Sequence, residues 1–177
     1  MARQKLTGIY IPVVTPFNED ESINIAAIDE VAKFLAENGV DGIIPSGSTG
    51  EMIAMTKEEQ MAVNKAYIQA GHKYGIKVVA STGAYRTGDV IEMSKAAEAD
   101  GADGVMVVTP WYMGPNKEEL YHHYKAIHDS IDISLTTPTT PPCCWTTGSS
   151  PRCTTKAAST PSRSARPTCS VSRICAA

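Results

Sequence analysis

A chain of 177 residues with 42% apolar content is long enough to bury the core of one domain. A formal charge of −3 lacks the concentrated Lys and Arg excess of a nucleic-acid surface, and no window approaches the roughly 18 uncharged apolar residues of a membrane-spanning helix. The opening Met-Ala-Arg-Gln-Lys-Leu runs into Gly8 without an apolar stretch of signal-peptide length, so the expected setting is cytoplasmic, with neither nucleic acid nor membrane as partner.

Residues 8–14 form a short β-branched apolar run closed by Thr15-Pro16, the first predicted strand. Residues 24–38 place Ile25, Ile28, Val31, Ala32 and Leu35 at helical spacing, with Gly39 as the C-terminal stop. Residues 42–45 read as a second buried strand. Thr56-Lys57-Glu58-Glu59 has capping-box spacing and opens a helix predicted to reach about Tyr74. Residues 77–81 form a third strand, 89–100 a third helix and 104–108 a fourth strand. Asn116-Lys117-Glu118-Glu119 repeats the capping spacing and opens a helix to about His128, after which residues 129–133 are expected to begin a fifth strand.

Continuous apolar strands alternating with amphipathic helices indicate an α/β fold with a parallel sheet. An internal echo supports a repeated unit: Asn38-Gly39-Val40-Asp41-Gly42-Ile43-Ile44 recurs as Asp100-Gly101-Ala102-Asp103-Gly104-Val105-Met106. A (β/α)8 barrel needs about 250 residues and eight such units. About four are present here, and an open doubly wound sheet needs fewer, so the pattern alone admits both architectures.

In either architecture ligands meet the loops at the carboxyl ends of the strands. These are Thr15-Pro16-Phe17, Ser46-Gly47-Ser48-Thr49-Gly50-Glu51, Thr82-Gly83-Ala84-Tyr85 and Thr109-Pro110-Trp111-Tyr112. In the second, two glycines let the backbone approach a ligand, while adjacent hydroxyls and free amides suit a carboxylate or phosphate. It is neither a P-loop nor Gly-x-Gly-x-x-Gly.

Residues 8–17, the Gly47-Ser48-Thr49-Gly50-Glu51 loop, and the run from Gly104 through Val107-Val108-Thr109-Pro110-Trp111-Tyr112 together resemble the dihydrodipicolinate synthase/N-acetylneuraminate lyase family, in order and spacing, over about residues 6–133. The resemblance implies a (β/α)8 TIM barrel and class I aldol chemistry on pyruvate and a small aldehyde, by a lysine Schiff base without metal or organic cofactor. It assigns the grip on the pyruvate carboxylate to Ser48 and Thr49. It places Tyr112 in a hydroxyl proton relay with Ser48 and a second tyrosine, from a Tyr-Asn-x-Pro motif after the fifth strand. The family is typically homo-oligomeric. Aspartate semialdehyde, as in a dihydrodipicolinate synthase, is the first expectation for the aldehyde; a sugar-acid lyase is the alternative within the family. Trp111 departs from the commoner tyrosine at its position.

Plainer readings stand beside these. Tyr112 also suits a packing aromatic at a strand end, and Ser48 a turn cap. His122, His123 and His128 read as a solvated helix face rather than metal ligands. Lys57, Glu58, Glu59, Lys117, Glu118 and Glu119 read as helix-start charges.

Composition breaks near residue 134. Residues 1–133 carry all 19 acidic and 11 basic residues, net −8, whereas residues 134–177 carry 5 basic and no acidic residues, net +5. That segment of 44 residues holds 24 Ser, Thr or Pro and all five cysteines (Cys143, Cys144, Cys153, Cys169 and Cys175), and reads as an irregular or disordered tail. The cysteine spacing matches neither a zinc site nor a secreted disulfide scaffold. Neither the Schiff-base lysine nor the second tyrosine of the family is found there: Lys156 sits in Cys-Thr-Thr-Lys-Ala-Ala-Ser, with no strand pattern to give a nucleophilic lysine its desolvated pocket. Ser, Thr, Pro and Ala codons share a middle C, which a two-base shift turns into a wobble base. The shifted frame permits Asn-x-Pro near residues 135–142 and Ile-Lys-Glu near residues 161–164. The expectation is a frameshift or sequencing error near residue 134. It comes with an inactive half-barrel whose fourth strand has an unpaired edge, and the competing reading is a non-catalytic α/β fragment holding a small carboxylate.

Overall fold

The computed structural model describes residues 5–111 and 114–138. Tyr112, Lys156, the cysteines and the rest of the segment beyond residue 138 lie outside the described residues. Strands β1 (Tyr10–Pro12), β2 (Gly42–Ile44), β3 (Lys77–Ser81), β4 (Gly104–Met106) and β5 (Ser134–Thr136) form one sheet in sequence order. Every neighbouring pair is parallel. Helices α1 (Ile25–Glu37), α2 (Lys57–Lys73), α3 (Thr87–Ala99) and α4 (Lys117–His128) make the crossovers, as parallel pairing demands.

Local chemistry sets most boundaries. The Asn24 side chain caps α1, and Gly39 stops it at φ +77°. Capping boxes form at Thr56/Glu59 and Asn116/Glu119, so these two glutamates bond backbone rather than merely sitting at helix starts. Lys57 instead reaches Glu92 on α3 at 2.8 Å. Helix α3 begins at Thr87, two residues before the predicted start, because its N-cap, Arg86, makes no side-chain cap bond to mark it.

In-register residues share a face of a parallel sheet. Ile43, Val78, Ala80, Val105 and Val107 point toward the helices and pack with Ile28, Ala32, Val63, Tyr67, Val90, Ala97, Tyr124 and Ile127 into the core. Tyr10, Ile44, Lys77, Val79, Ser81, Met106 and Thr136 occupy the opposite, lumen face, with Gly42 and Gly104 between them. A Cβ on Gly42 would overlap the Tyr10 ring, so glycine there makes room for it. Burial, followed by the Asp103 and Asp41 carboxylates, pushes the Tyr10 phenol above its usual range.

The sequence echo has a shared task. Asp41 Oδ2 accepts the Ile9 N–H at 2.7 Å and Asp103 Oδ2 accepts the Val78 N–H at 2.9 Å, each carboxylate tying down the start of the preceding strand. The fifth strand departs from expectation. Residues 129–133 are spent on the turn after α4, where the Ser130 hydroxyl donates to the Ile127 carbonyl, and on Glu98 Oε1, which accepts the N–H groups of Asp132 and Ile133. Strand β5 therefore starts at Ser134, inside the segment that composition separates, and β4 is paired on both sides. His123 also departs: it is buried, with Nδ1 2.9 Å from the Thr87 hydroxyl, while His122 stays on the solvated face.

Candidate active site

Three helices send polar side chains up to the carboxyl ends of the strands. On α2, the Tyr67 hydroxyl donates to the Val14 carbonyl at 2.7 Å and Asn64 Nδ2 donates to the Ser81 carbonyl at 3.0 Å. On α3, the Ser94 hydroxyl lies 2.9 Å from the Thr82 hydroxyl. On α4, the Tyr124 hydroxyl lies 3.0 Å from the Thr109 hydroxyl and 3.2 Å from that of Thr137, linking the ends of β4 and β5. These groups are enclosed, and burial drives the Tyr67 phenol far above its normal pKa, so it serves as a fixed donor. The result is a rigid rim under four loops.

The loop after β2 is the most constrained. Ser46 and Glu51, both non-glycine, take left-handed conformations at φ +53° and +57° and bracket the turn. Within it the Met52 N–H bonds the Gly47 carbonyl and the Glu51 N–H bonds the Ser48 carbonyl, each at 3.2 Å. Gly50 is required by space: a Cβ would lie 3.0 Å from the Val13 carbonyl and 3.1 Å from the Ser46 nitrogen. Across from it, the buried Thr15 hydroxyl donates to the Gly50 carbonyl at 2.7 Å and staples the loop to β1. Gly47 and Gly50 are buried while Ser48 and Thr49 stay exposed, so the scaffold presents those two hydroxyls outward.

Ser48 borders a recess of about 340 Å3 completed by Glu51, Met52, Ile53 and Ala54. Thr49 is not among its walls. Tyr85 and Trp111, from the loops after β3 and β4, pack with ring centroids 4.3 Å apart and planes tilted by 45°, so Trp111 is seated against a neighbouring loop. Two features had no signal in the chain. Thr15 reads as a strand terminator, and its bond to Gly50 spans 35 residues. Ser46, in the loop after β2, and Ser81, at the end of β3, have buried hydroxyls without a hydrogen-bond partner among the described residues.

Parallel strands in sequence order, helices on one face, and polar loops at the carboxyl ends define the opening units of a (β/α)8-barrel protein. The model of the dihydrodipicolinate synthetase family matches residues 5–136, and the chain belongs to that family. It is 41% identical over 128 residues to the 4-hydroxy-tetrahydrodipicolinate synthase of Syntrophus aciditrophicus, an alignment covering 72% of this chain and 43% of the relative. The synthase of Methylacidiphilum fumariolicum superposes with a TM-score of 0.71 at 33% identity, over 75% of this chain and 44% of that one. A pyruvate complex of the dihydrodipicolinate synthase from Acinetobacter baumannii gives 0.71 at 34% identity, over 75% and 45%. The chain thus spans a little under half the length of the relatives it matches.

Proposed function

We propose that this chain carries the carboxylate-gripping half of a pyruvate-dependent class I aldolase of the dihydrodipicolinate synthase type. The observation that carries the reading is the stapled loop after β2, which holds Ser48 and Thr49 outward between buried Gly47 and Gly50. Their hydroxyls and amides take the carboxylate of pyruvate, and neutral donors do so without placing a second charge beside the reacting carbonyl. Tyr112 joins Ser48 in passing protons. The matched relatives' names favour condensation with aspartate semialdehyde over sugar-acid cleavage, and the pyruvate complex of the A. baumannii enzyme supports the donor substrate.

A Schiff base needs a lysine in a desolvated, fixed pocket. Lys77 stands at the amino end of β3, the wrong end of the sheet for these loops, and Lys156 lies in sequence without strand character. The 177-residue chain is therefore expected to bind pyruvate without trapping it. Saturation-transfer NMR should detect pyruvate on the parent chain and not on a Ser48→Ala/Thr49→Val double variant of unchanged circular dichroism. Absence of binding to the parent refutes the grip, and a covalent adduct after borohydride treatment refutes the missing lysine. The segment after residue 134 is proposed to be read in a shifted frame, which an in-frame, error-free resequencing of the DNA would overturn.

A further inference from the structure

The repeated segment carries a chemistry of its own. Asn38-Gly39-Val40-Asp41-Gly42 and Asp100-Gly101-Ala102-Asp103-Gly104 each place glycine after two acid or amide residues, and Asn38 is the only asparagine of the chain with glycine behind it. In such a pair the glycine nitrogen can attack the side-chain carbonyl carbon through a five-membered ring, because glycine brings no Cβ to hinder the approach. A carboxamide is open to that attack near neutral pH, whereas an ionised carboxylate is a poor electrophile.

The fold sorts the four pairs. Asp41 Oδ2 accepts the Ile9 N–H at 2.7 Å and Asp103 Oδ2 accepts the Val78 N–H at 2.9 Å. Their glycines, Gly42 and Gly104, are buried at the starts of β2 and β4. Asp100 and Asn38 hold equivalent places: each is the C-cap of its helix, α3 or α1, and each is followed by a left-handed glycine, at φ +95° and +77°. The Asp100 carboxylate is partly buried and lies 3.0 Å from Lys65 Nζ. Asn38 and Gly39 are both exposed, and no heavy atom of the described residues lies within 4 Å of where a Gly39 Cβ would stand. The ring therefore has room to close only at Asn38. Two bonds restrain it: Asn38 Nδ2 donates to the Phe34 carbonyl at 2.7 Å, and the Gly39 N–H donates to the Ala36 carbonyl at 3.1 Å. Both belong to the last turn of α1, and helix ends open at little cost in free energy.

We propose that Asn38 is a deamidation site that alters the connection between α1 and β2. When the last turn opens, the Gly39 nitrogen gives its proton to hydroxide and bonds Asn38 Cγ, the Cγ–Nδ2 bond breaks, and ammonia leaves. Water then opens the cyclic imide at either carbonyl, leaving aspartate or isoaspartate at position 38. The aspartate product sets a carboxylate where Nδ2 donated to Phe34, at the negative end of the α1 dipole. The isoaspartate product adds one main-chain atom just ahead of Val40 and Asp41, whose N–H groups bond the Leu35 carbonyl at 3.4 Å and the Ile9 carbonyl at 3.2 Å. Either product loosens the junction at which Asp41 ties β1 to β2. The site stands apart from the pyruvate chemistry.

The test incubates the folded 177-residue chain in mildly alkaline buffer and follows it by isoelectric focusing and peptide mass mapping. Each chain should gain one negative charge, with the amide-to-acid mass change at Asn38 ahead of Asn18, Asn24, Asn64 and Asn116, at a rate that rises in proportion to hydroxide. Asn38→Gln should abolish the charge gain, because its longer side chain must close a six-membered ring, while its circular dichroism matches the parent. In urea the parent should react faster, since Phe34 and Ala36 no longer hold the pair. On the separated acidic fraction, hydrogen exchange should quicken at Ile9 and Asp41 and keep the parent rates along α4. A folded chain that keeps Asn38 intact while the urea-unfolded chain loses it overturns the proposal. So does earlier loss at another asparagine, or an acidic fraction whose Ile9 and Asp41 amides exchange as in the parent.

Discussion

The hydroxyl of Thr15 shows how one atom fixes a functional loop. It donates to the Gly50 carbonyl at 2.7 Å in a buried setting. Thr15→Val keeps the side-chain shape but leaves that carbonyl unpaired, so unfolding in urea should show a loss of about 1–3 kcal/mol, with Thr15→Ser restoring most of it. His123 makes a second prediction. Its Nε2 is buried without a hydrogen-bond partner among the described residues, and burial lowers its pKa from the ordinary 6.5. The folded state therefore holds it neutral while the unfolded state protonates it near pH 6.5. Its contribution is complete above pH 6.5 and is lost as pH falls through the folded value, because the unfolded chain then binds more protons. His123→Asn should flatten the stability slope just below pH 6.5 in urea titrations at stepped pH. Neither residue's role was legible in the chain: Thr15 acts 35 positions away, and the solvated-face reading of His123 failed because helix spacing does not show that Thr87 would meet it. The exposure of Ser48 and Thr49 between buried Gly47 and Gly50 fits the spacing of the loop after β2, whereas the carboxylate role given to them comes from the family resemblance and not from local chemistry.

At the scale of elements, what is short-range is readable and what a distant side chain sets is not. Both capping boxes stand where Thr56 and Asn116 place them, because cap and partner lie three residues apart. Strand β3 occupies residues 77–81 as its apolar run predicts. Strand β5 shifts to Ser134–Thr136 because its approach is governed by Glu98, 34 residues earlier on α3, whose carboxylate accepts two successive N–H groups. No periodicity in residues 129–136 contains that information. Glu98→Ala should free those two amides, at roughly 1–3 kcal/mol, and the loosening should be local. Native-state hydrogen exchange is expected to quicken at Asp132 and Ile133 and along β5, while amides of β2 and β3 keep the parent rates. Equal acceleration throughout the sheet would mean that Glu98 supports the whole fold instead.

At the scale of the whole molecule, the described residues build a sheet with unequal faces, and adjacent residues of one strand allow that to be measured. Ile43 and Ile44 have the same side chain, the same strand and nearly the same backbone, but they point to opposite sides. Ile43 is fully buried among the helices, in the cluster that includes Val78, Val105 and Tyr67. Ile44 is only partly buried, on the lumen face. Truncating a well-packed isoleucine to alanine costs about 2–5 kcal/mol, through lost transfer energy and the cavity left behind. A partly exposed one loses less area and leaves a dent that water fills. Ile43→Ala should therefore lower the urea midpoint at least twice as far as Ile44→Ala, with similar denaturant slopes showing that the unfolded states are alike. Equal losses would mean that the lumen face is already covered in the chain alone.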